Sequence, residues 1–526
     1  MGFDKEKVDY SVYLVTDAPM VPEGLTLKHQ VEQAVANGAS IIQLREKTAD
    51  TREFVKLARE IHEITKKADV PLIINDRVDV ALAVDAEGVH VGQGDMDIPT
   101  LRRLFPGDNK IIGVSVNSVD EARQAIKDRV DYVGIGAVYG TATKNVKNPP
   151  FGPSGAREIL TVLEEECDYD MKTVAIGGIK DTNSQLVKYL STTPKGTKSL
   201  DGMAVVSCIM AVQDAGAATK KLRQVVGSDG PWVRARNDLA TSSAALTEMV
   251  PKLAAKIAEI SPLLHHITNG VVKNISANMS IAIGASPAMS EVVEEFADFS
   301  KVPNGALLIN MGTASPEGVD IFKAAISHYN SQGRSIVFDP VGGGASAHRR
   351  AAVRTLLNAG VFDVIKGNEG EIFSAAQIQG TKMQGVDSRG SSELEKCISA
   401  CKKLAHENHT TVLMTGQRDI LVEGQEPYRV AVFKNGHEYL GKITGSGCML
   451  GSLISAFSTV HQSDAFAAAA SALILYTLAA EQAVKSPSVN GPGTFLPALI
   501  DAVHDLSQQS INGKTDWTKN ANIEFL

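Results

Sequence analysis

The sequence predicts two α/β units in tandem: a (β/α)8 barrel over residues 1–228 and an α/β/α sandwich over 243–526. Three observations predict it. Eight short apolar runs alternate with helical segments between residues 11 and 210. The pattern lapses in VGSDGPWVRARNDLATSS (226–243), where Gly, Pro, Ser and charges lack sustained periodicity, so 229–242 reads as a linker. A second strand–helix series follows and ends in a long Ala-rich helical stretch.

The eight runs of the first series are SVYLVTD (11–17), ASIIQLREK (39–47), PLIIND (71–76), GVHVGQ (88–93), IIGVSV (111–116), YVGIGAVYG (132–140), TVAIGGI (173–179) and GMAVVSCIM (202–210). Near-continuous apolar strands separated by helices such as TREFVKLAREIHEITKKA (51–68) imply a parallel sheet buried on both faces. An open doubly wound sheet also alternates, but eight units in about 220 residues, with polar residues crowding the strands' C-terminal ends, match a closed barrel. The second series includes ALLINMG (306–312), SIVFDPVGGG (335–344), VIKGNEGE (364–371) and TVLMTGQRD (411–419), as expected for a mainly parallel sheet between helices.

A chain of 526 residues exceeds one ordinary core. With 44% hydrophobic and 21% charged residues it is a globular composition, and a net charge of −8 argues against a general nucleic-acid binder. Anionic ligands must therefore be held locally, by basic side chains, helix N-termini and metal ions. Five cysteines and a start without an apolar h-region (MGFDKEKVDY) predict free thiols in a cytoplasmic protein. AFAAAASALILYTLAA (465–480) is short of the roughly 20 apolar residues a bilayer requires, so a buried core helix is expected there rather than a membrane span.

In a barrel enzyme the chemistry sits where strands end. The ends here deliver Gln43, Leu44, Arg45, Glu46 and Lys47 (QLREK), then Asn75 and Asp76, then Asp95 in GQGD, then Ser115 in GVSV. The loop GTATK adds Thr141, Ala142, Thr143 and Lys144, and the last two strands end in Gly177-Gly178 and Val206-Ser207. Two carboxylates from neighbouring strands suit Mg²⁺, which uses one or two carboxylates plus substrate phosphates. Arg45, Lys47 and Lys144 supply countercharge for a diphosphate. A lone Asn-Asp is usually a turn and GTATK alone a solvated loop; their order on successive strands makes the case. The strand ends carry no His or Cys, so a reaction without a protein nucleophile or strong base is expected.

This half resembles thiamin phosphate synthase, through YLVTD, QLREK, IINDRVDVAL, GVHVGQGD, GVSV, YVGIGAVYGTATK, AIGGI and VVS. The resemblance implies that Asp76 and Asp95 ligate Mg²⁺. It implies that residues 43–47, Asn75, Ser115 and Lys144 bind an aminopyrimidine diphosphate, with Lys144 also catalytic. Thr141 to Thr143, Gly178, Val206 and Ser207 would bind a thiazole phosphate. Two departures stand out: Gly94, where relatives commonly carry an acid, and a longer, more basic loop over 145–149. A thiazole tautomerase shares this scaffold but has no need of the paired carboxylates and Lys144 together.

In the second half TGSGCMLGS (444–452) opens a long apolar helix, a natural cradle for phosphate. Cys448 sits where kinases of the ribokinase class carry an Asp base. Its place at a helix N-terminus predicts a lowered thiol pKa, suited to accept a hydroxyl proton. A Cys is otherwise among the most buried residue types; its setting within GSGC after a strand favours function. Asp339 in FDPVGGG and Glu371 in GNEGE suit Mg²⁺ beside ATP phosphates. No GxxxxGK[ST] occurs.

With HITNGVV, GASPAMSE, INMGT, DPVGGGA, KGNEGE, MTG and TGSGC this half resembles hydroxyethylthiazole kinase, of ribokinase-like fold. The resemblance implies that Cys448 is the proton acceptor, that Lys366 and Thr415 contact ATP, and that Met289 and Gly445 contact the thiazole alcohol. Lys366 stands where bacterial relatives typically have Arg, a point charge in place of a fork. The fused arrangement resembles fungal bifunctional thiamin enzymes, with small-molecule substrates, ATP as co-substrate and a homo-oligomer formed through the kinase half. That one half is a catalytically dead ligand sensor is disfavoured because all the expected chemical groups are present in both halves, and a scaffold would give no reason for phosphate-type loops at so many strand ends.

Overall fold

The computed structural model describes residues 3–141, 149–312, 314–378 and 391–526. The chain forms two compact units, Met1–Gly230 and Pro231–Leu526.

Eight parallel strands close the first unit into a barrel: β1 (Val12–Val15), β2 (Ile41–Leu44), β3 (Leu72–Asn75), β4 (Gly88–Val91), β5 (Ile111–Val116), β6 (Tyr132–Ile135), β7 (Lys172–Ala175) and β8 (Gly202–Val205). Registers such as Tyr13↔Ile41 and Tyr13↔Ala204 close β1 onto both β2 and β8. Helix starts are fixed by side chains that satisfy orphan N–H groups: Asp50, Ser118 and Asp214 each accept from the residue three positions on. Two apolar layers follow from strand alternation. One packs outward under the helices; the other, with Tyr13, Ile41, Ile73, Ile111, Tyr132 and Val174, plugs the barrel interior.

The second unit is a nine-stranded sheet, ordered β10-β9-β11-β12-β13-β14-β15-β16-β17. Its strands are β9 (Leu263–Ile267), β10 (Ser286–Ala288), β11 (Ala306–Asn310), β12 (Ser335–Asp339), β13 (Val364–Asn368), β14 (Thr411–Thr415), β15 (Asp419–Glu423), β16 (Val430–Phe433) and β17 (Ile523–Phe525). The pairs from β10 to β14 are parallel and those from β14 to β17 antiparallel. Apolar cores on both faces make three layers. The Ala-rich helix Ala465–Ala483 is long and apolar enough to cross a membrane, but 83% of it is buried, as in a core helix. Residues 231–242, at the start of the second unit, are tied to its body. Arg234 pairs with Asp363, Arg236 with Glu423, and Arg429 Nη1 donates to Ala240 O at 2.7 Å.

Candidate active sites

A cavity of about 90 Å³ opens inside the C-terminal end of the barrel. Gln43, Arg45, Asn75, Ser115 and Val206, all expected at a site, line it together with Tyr13, Asp17, His90 and Tyr132. Asn75 Nδ2 is buried with no hydrogen-bond partner among the described residues, a donor aimed into a cavity that asks for an acceptor. Arg45 is steered by Asp17, whose Oδ2 lies 3.3 Å from Nη1. Burial, then the charge of Asp17, raises the Glu46 carboxyl.

At the rim Asp76 follows β3 in a left-handed conformation (φ +61°), with its N–H donating to His90 O at 2.8 Å. That backbone turn brings its carboxylate to Asp95, within hydrogen-bonding reach, and Lys47 pairs with Asp76. Asp95 Oδ2 accepts from Gly92 N at 2.8 Å. Burial, and then the adjacent Asp76, raise the Asp95 carboxyl. Two carboxylates pressed together with one lysine between them fit a divalent cation, which would relieve that repulsion. Gly178 (φ +64°) lies so close to Gly140 O and Tyr139 that a Cβ would sit 2.7 Å from each. Ser207 begins a four-residue helix beside the cavity-lining Val206. Thr141 is described; Ala142, Thr143 and Lys144 lie outside the described residues.

One expectation is corrected here. His90 on β4 lines the cavity, so the site does contain a histidine. It points inward because strand alternation places it on the same side as Gly88 and opposite the outward-packed Val89 and Val91. Asp17, Tyr13 and Tyr132 also line the cavity without having been expected there: all three fall in apolar runs read as strands, where nothing in the sequence shows which side chains turn inward.

In the second unit the strand ends of β11, β12 and β13 converge under the helix Ser446–Val460. Asn310 Nδ2 donates to Cys448 Sγ (3.1 Å) and to Asp339 Oδ2 (3.2 Å), while its Oδ1 accepts from Asn269 Nδ2 (3.1 Å). Lys366 Nζ reaches Asp339 Oδ2 at 3.0 Å, and both side chains are almost completely buried. Burial raises the Asp339 carboxyl to about 6, against the pull of Lys366. Burial lowers the Lys366 ammonium, but Asp339 and Glu371 outweigh it and the net shift is upward. The pair is therefore ionic, held by contact at 3.0 Å and the amide of Asn310. Asp339 Oδ1 is buried without a partner among the described residues. Glu371 closes a capping box with Asn368 and accepts from Gly342 N at 2.8 Å. Among the described residues no three His, Cys, Asp or Glu side chains are grouped for a metal. The free Asp339 oxygen beside Glu371 nevertheless fits Mg²⁺ of the kind that takes one or two carboxylates and completes its shell with phosphates and water.

Two more expectations are corrected. The Cys448 thiol is pushed up, first by burial and then by Asp339; Lys366 and the Asn310 hydrogen bond offset this only in part. Its place at the helix start does not outweigh desolvation. A 3-10 helix, Glu438–Lys442, and not a strand, precedes TGSGC. Gly445 caps the helix at φ +82°, a conformation that favours glycine, and a Cβ there would also crowd Ile275 Cδ1 at 2.4 Å. Met289, past the end of β10, lies 3.3 Å (Sδ) from His266 Nδ1, on the sheet's other flank from Lys366 and Thr415. Thr415 Oγ1 donates to Gly367 O at 3.3 Å. Asn310 and His266 fall within INMGT and HITNGVV, but the sequence assigns neither a role: Asn310 ends β11 and His266 lies inside β9, and the partners of a single polar residue in an apolar strand are set only by the fold.

The hydroxyethylthiazole kinase family model matches residues 254–509, and the thiamine monophosphate synthase model matches residues 12–209. Barrel and sandwich thus define a fusion of these two enzyme classes. A probable thiamine biosynthetic bifunctional enzyme of Schizosaccharomyces pombe is 42% identical, covering 99% of either chain. The thiamine biosynthetic bifunctional enzyme of Saccharomyces cerevisiae is 40% identical over 97% of this chain and 98% of its own. A hydroxyethylthiazole kinase structure from Pyrococcus horikoshii is 32% identical, with a TM-score of 0.46 over 53% of this chain and 99% of that one. The chain belongs to the family of fungal bifunctional thiamine biosynthetic enzymes.

Proposed function

We propose that the second unit phosphorylates 4-methyl-5-(2-hydroxyethyl)thiazole with ATP. The first unit then couples the thiazole phosphate to 4-amino-2-methyl-5-(diphosphooxymethyl)pyrimidine, giving thiamin phosphate and diphosphate. The observation that carries this reading is the Asp76–Asp95 pair beside Lys47 at the mouth of a cavity lined by Gln43, Asn75 and Ser115.

In the barrel, Gln43, Asn75 and Ser115 orient the pyrimidine, and Arg45, Lys47 and Lys144 receive the charge that builds on the departing diphosphate. Leu44 and Glu46 complete that segment's contacts. Asp76 and Asp95 would hold Mg²⁺, which when bound neutralises diphosphate charge. The pyrimidine's amino group pushes electrons toward the methylene carbon as the C–O bond breaks. The thiazole nitrogen then forms the C–N bond, its phosphate held by Thr141, Ala142, Thr143, Gly178, Val206 and Ser207. Neither step takes a proton from a protein base.

In the kinase, Cys448 accepts the proton of the thiazole alcohol as its oxygen attacks the γ-phosphoryl group. Asn310 donates to Cys448 Sγ and so favours the thiolate. Lys366 and Thr415 contact ATP, Met289 and Gly445 the alcohol, and Asp339 with Glu371 would hold its Mg²⁺. The enzyme works in the cytosol, as a homo-oligomer built through the kinase half. The test is coupled turnover with pyrimidine diphosphate, thiazole alcohol, ATP and Mg²⁺. Thiamin phosphate should form, and omitting ATP should stop it unless thiazole phosphate is supplied. Failure with thiazole phosphate present would remove the synthase assignment.

A further inference from the structure

Five polar side chains form one line along the cavity floor. Gln43 Nε2 donates to Tyr13 Oη at 2.8 Å, and the Tyr13 and Tyr132 hydroxyls are 2.6 Å apart. Tyr132 Oη lies 2.8 Å from His90 Nδ1, and His90 Nε2 lies 2.9 Å from Ser115 Oγ. The chemistry proposed above uses the two ends, Gln43 and Ser115, but none of the three side chains between them.

A phenol has one proton to give, so the direction of each link fixes the next. Tyr13 accepts from the Gln43 amide and is fully buried, so its own proton goes to Tyr132, the other hydroxyl in reach. Tyr132, having accepted, gives its proton to His90 Nδ1. Burial raises both phenols, which keeps those protons in place at neutral pH. With Nδ1 accepting, the imidazole proton resides on Nε2 and is donated to Ser115 Oγ. Ser115 then has its own proton left for the cavity. At the opposite end the Gln43 NH₂ gives one proton to Tyr13 and turns the other towards Tyr132, which leaves Oε1 as the amide's cavity-side group. The barrel makes room for this line: a Cβ on Gly113 would fall 2.1 Å from the Tyr132 ring, and one on Gly134 3.2 Å from His90 Cε1.

We infer that Tyr13, Tyr132 and His90 are positioning residues whose ordered hydrogen bonds hold an acceptor at Gln43 and a donor at Ser115, selecting a ring that offers an amino N–H to the first and an unprotonated ring nitrogen to the second. The inference rests on the reading that this cavity takes an aminopyrimidine diphosphate. A 4-amino pyrimidine meets the pattern. Its 4-oxo counterpart sets a lone pair against the Gln43 lone pair, a mismatch that polar sites reject strongly.

The experiment has two arms, both on the full-length chain. Histidine ¹⁵N labelling of the substrate-free protein, with His90→Asn to assign the signal, should show His90 as the neutral Nε2–H tautomer at neutral pH. An Nδ1–H tautomer, or a doubly protonated ring, overturns the proton order. In the second arm, Tyr132→Phe removes the central hydroxyl while keeping the ring. The ratio of kcat/KM for the 4-amino over the 4-oxo pyrimidine diphosphate should fall by at least about tenfold. An unchanged ratio, with only a lower melting temperature or equal losses on both substrates, makes these residues merely structural and overturns the proposal. If the unaltered enzyme couples neither pyrimidine, the synthase reading fails, and the tautomer alone still decides the order of the chain.

Discussion

The two sites proposed to hold phosphate charge in this acidic protein place their charged pairs in opposite settings. At the barrel rim the carboxylates and their lysine are solvent-reachable: the Lys47 side chain is 51% exposed and that of Asp76 20%. In the kinase the Lys366 and Asp339 side chains are 4% and 0% exposed. A pair in water is worth little and exchanges partners freely, so Lys47 can leave Asp76 when a cation or diphosphate arrives. A pair in the core has no such freedom. Breaking it from one side leaves a charge stranded in low dielectric. The rim is thus built for exchange and the core pair for permanence, and substitutions should separate the two.

The largest expected effect is on the buried pair. Lys366→Met should cost the second unit about 3–5 kcal/mol and abolish kinase turnover. Lys47→Met should change stability by less than about 1 kcal/mol. The kinase loss carries a pH signature. Asp339 stands at about 6 in the fold against an ordinary 3.8, and loss of Lys366 raises it further. A carboxyl raised by folding penalises the fold once pH exceeds its folded value and not below its unfolded one. The deficit in urea midpoint should therefore be greatest above pH 7 and shrink towards pH 5; a pH-independent deficit would contradict an ionic pair.

Next is Cys448. Cys448→Ala should slow phosphorylation by about 10²–10⁴-fold with the fold retained. Because burial holds the thiol above its usual range, wild-type kcat/KM should climb from pH 7 towards 9. Cys448→Asp should keep activity and move that rising limb to lower pH. A folded but dead Asp variant would mean that the thiol does more than accept a proton.

The smallest effect sharpens the view of the rim. Asp95 is raised by burial and by Asp76, so at neutral pH its ionisation works against the fold. Asp95→Asn should raise the first unit's melting temperature slightly without Mg²⁺ and erase the stabilisation that added Mg²⁺ gives the unaltered chain. An unchanged response to Mg²⁺ would separate Asp95 from the metal.

Much of this was legible in the sequence because it lies in regular positions. Buried parallel strands read as continuous apolar runs, and barrel chemistry sits at their ends, so Asp76, Asp95, Gln43 and Ser115 emerge by counting strands. The Cys448 motif emerges from its glycines, each of which answers a close approach, as Gly445 does to Ile275. What stayed hidden depends on the third dimension. His90 and Tyr132 look like strand filler until closure of the barrel brings β4 and β6 to one floor. The thiol's upward shift comes first from burial and then from Asp339, 109 positions away in the chain and joined to it in space through Asn310. Likewise β17, three residues at the very end, has too little length to announce itself.

The most direct measurement is a Mg²⁺ titration of both activities in the same sample of Asp76→Asn, a change that tolerates the left-handed backbone at φ +61°. Synthase turnover should fall by at least about 10²-fold, or demand far more Mg²⁺, while kinase turnover stays at the unaltered level. Unchanged synthase turnover and Mg²⁺ dependence would contradict a cation site at the barrel rim.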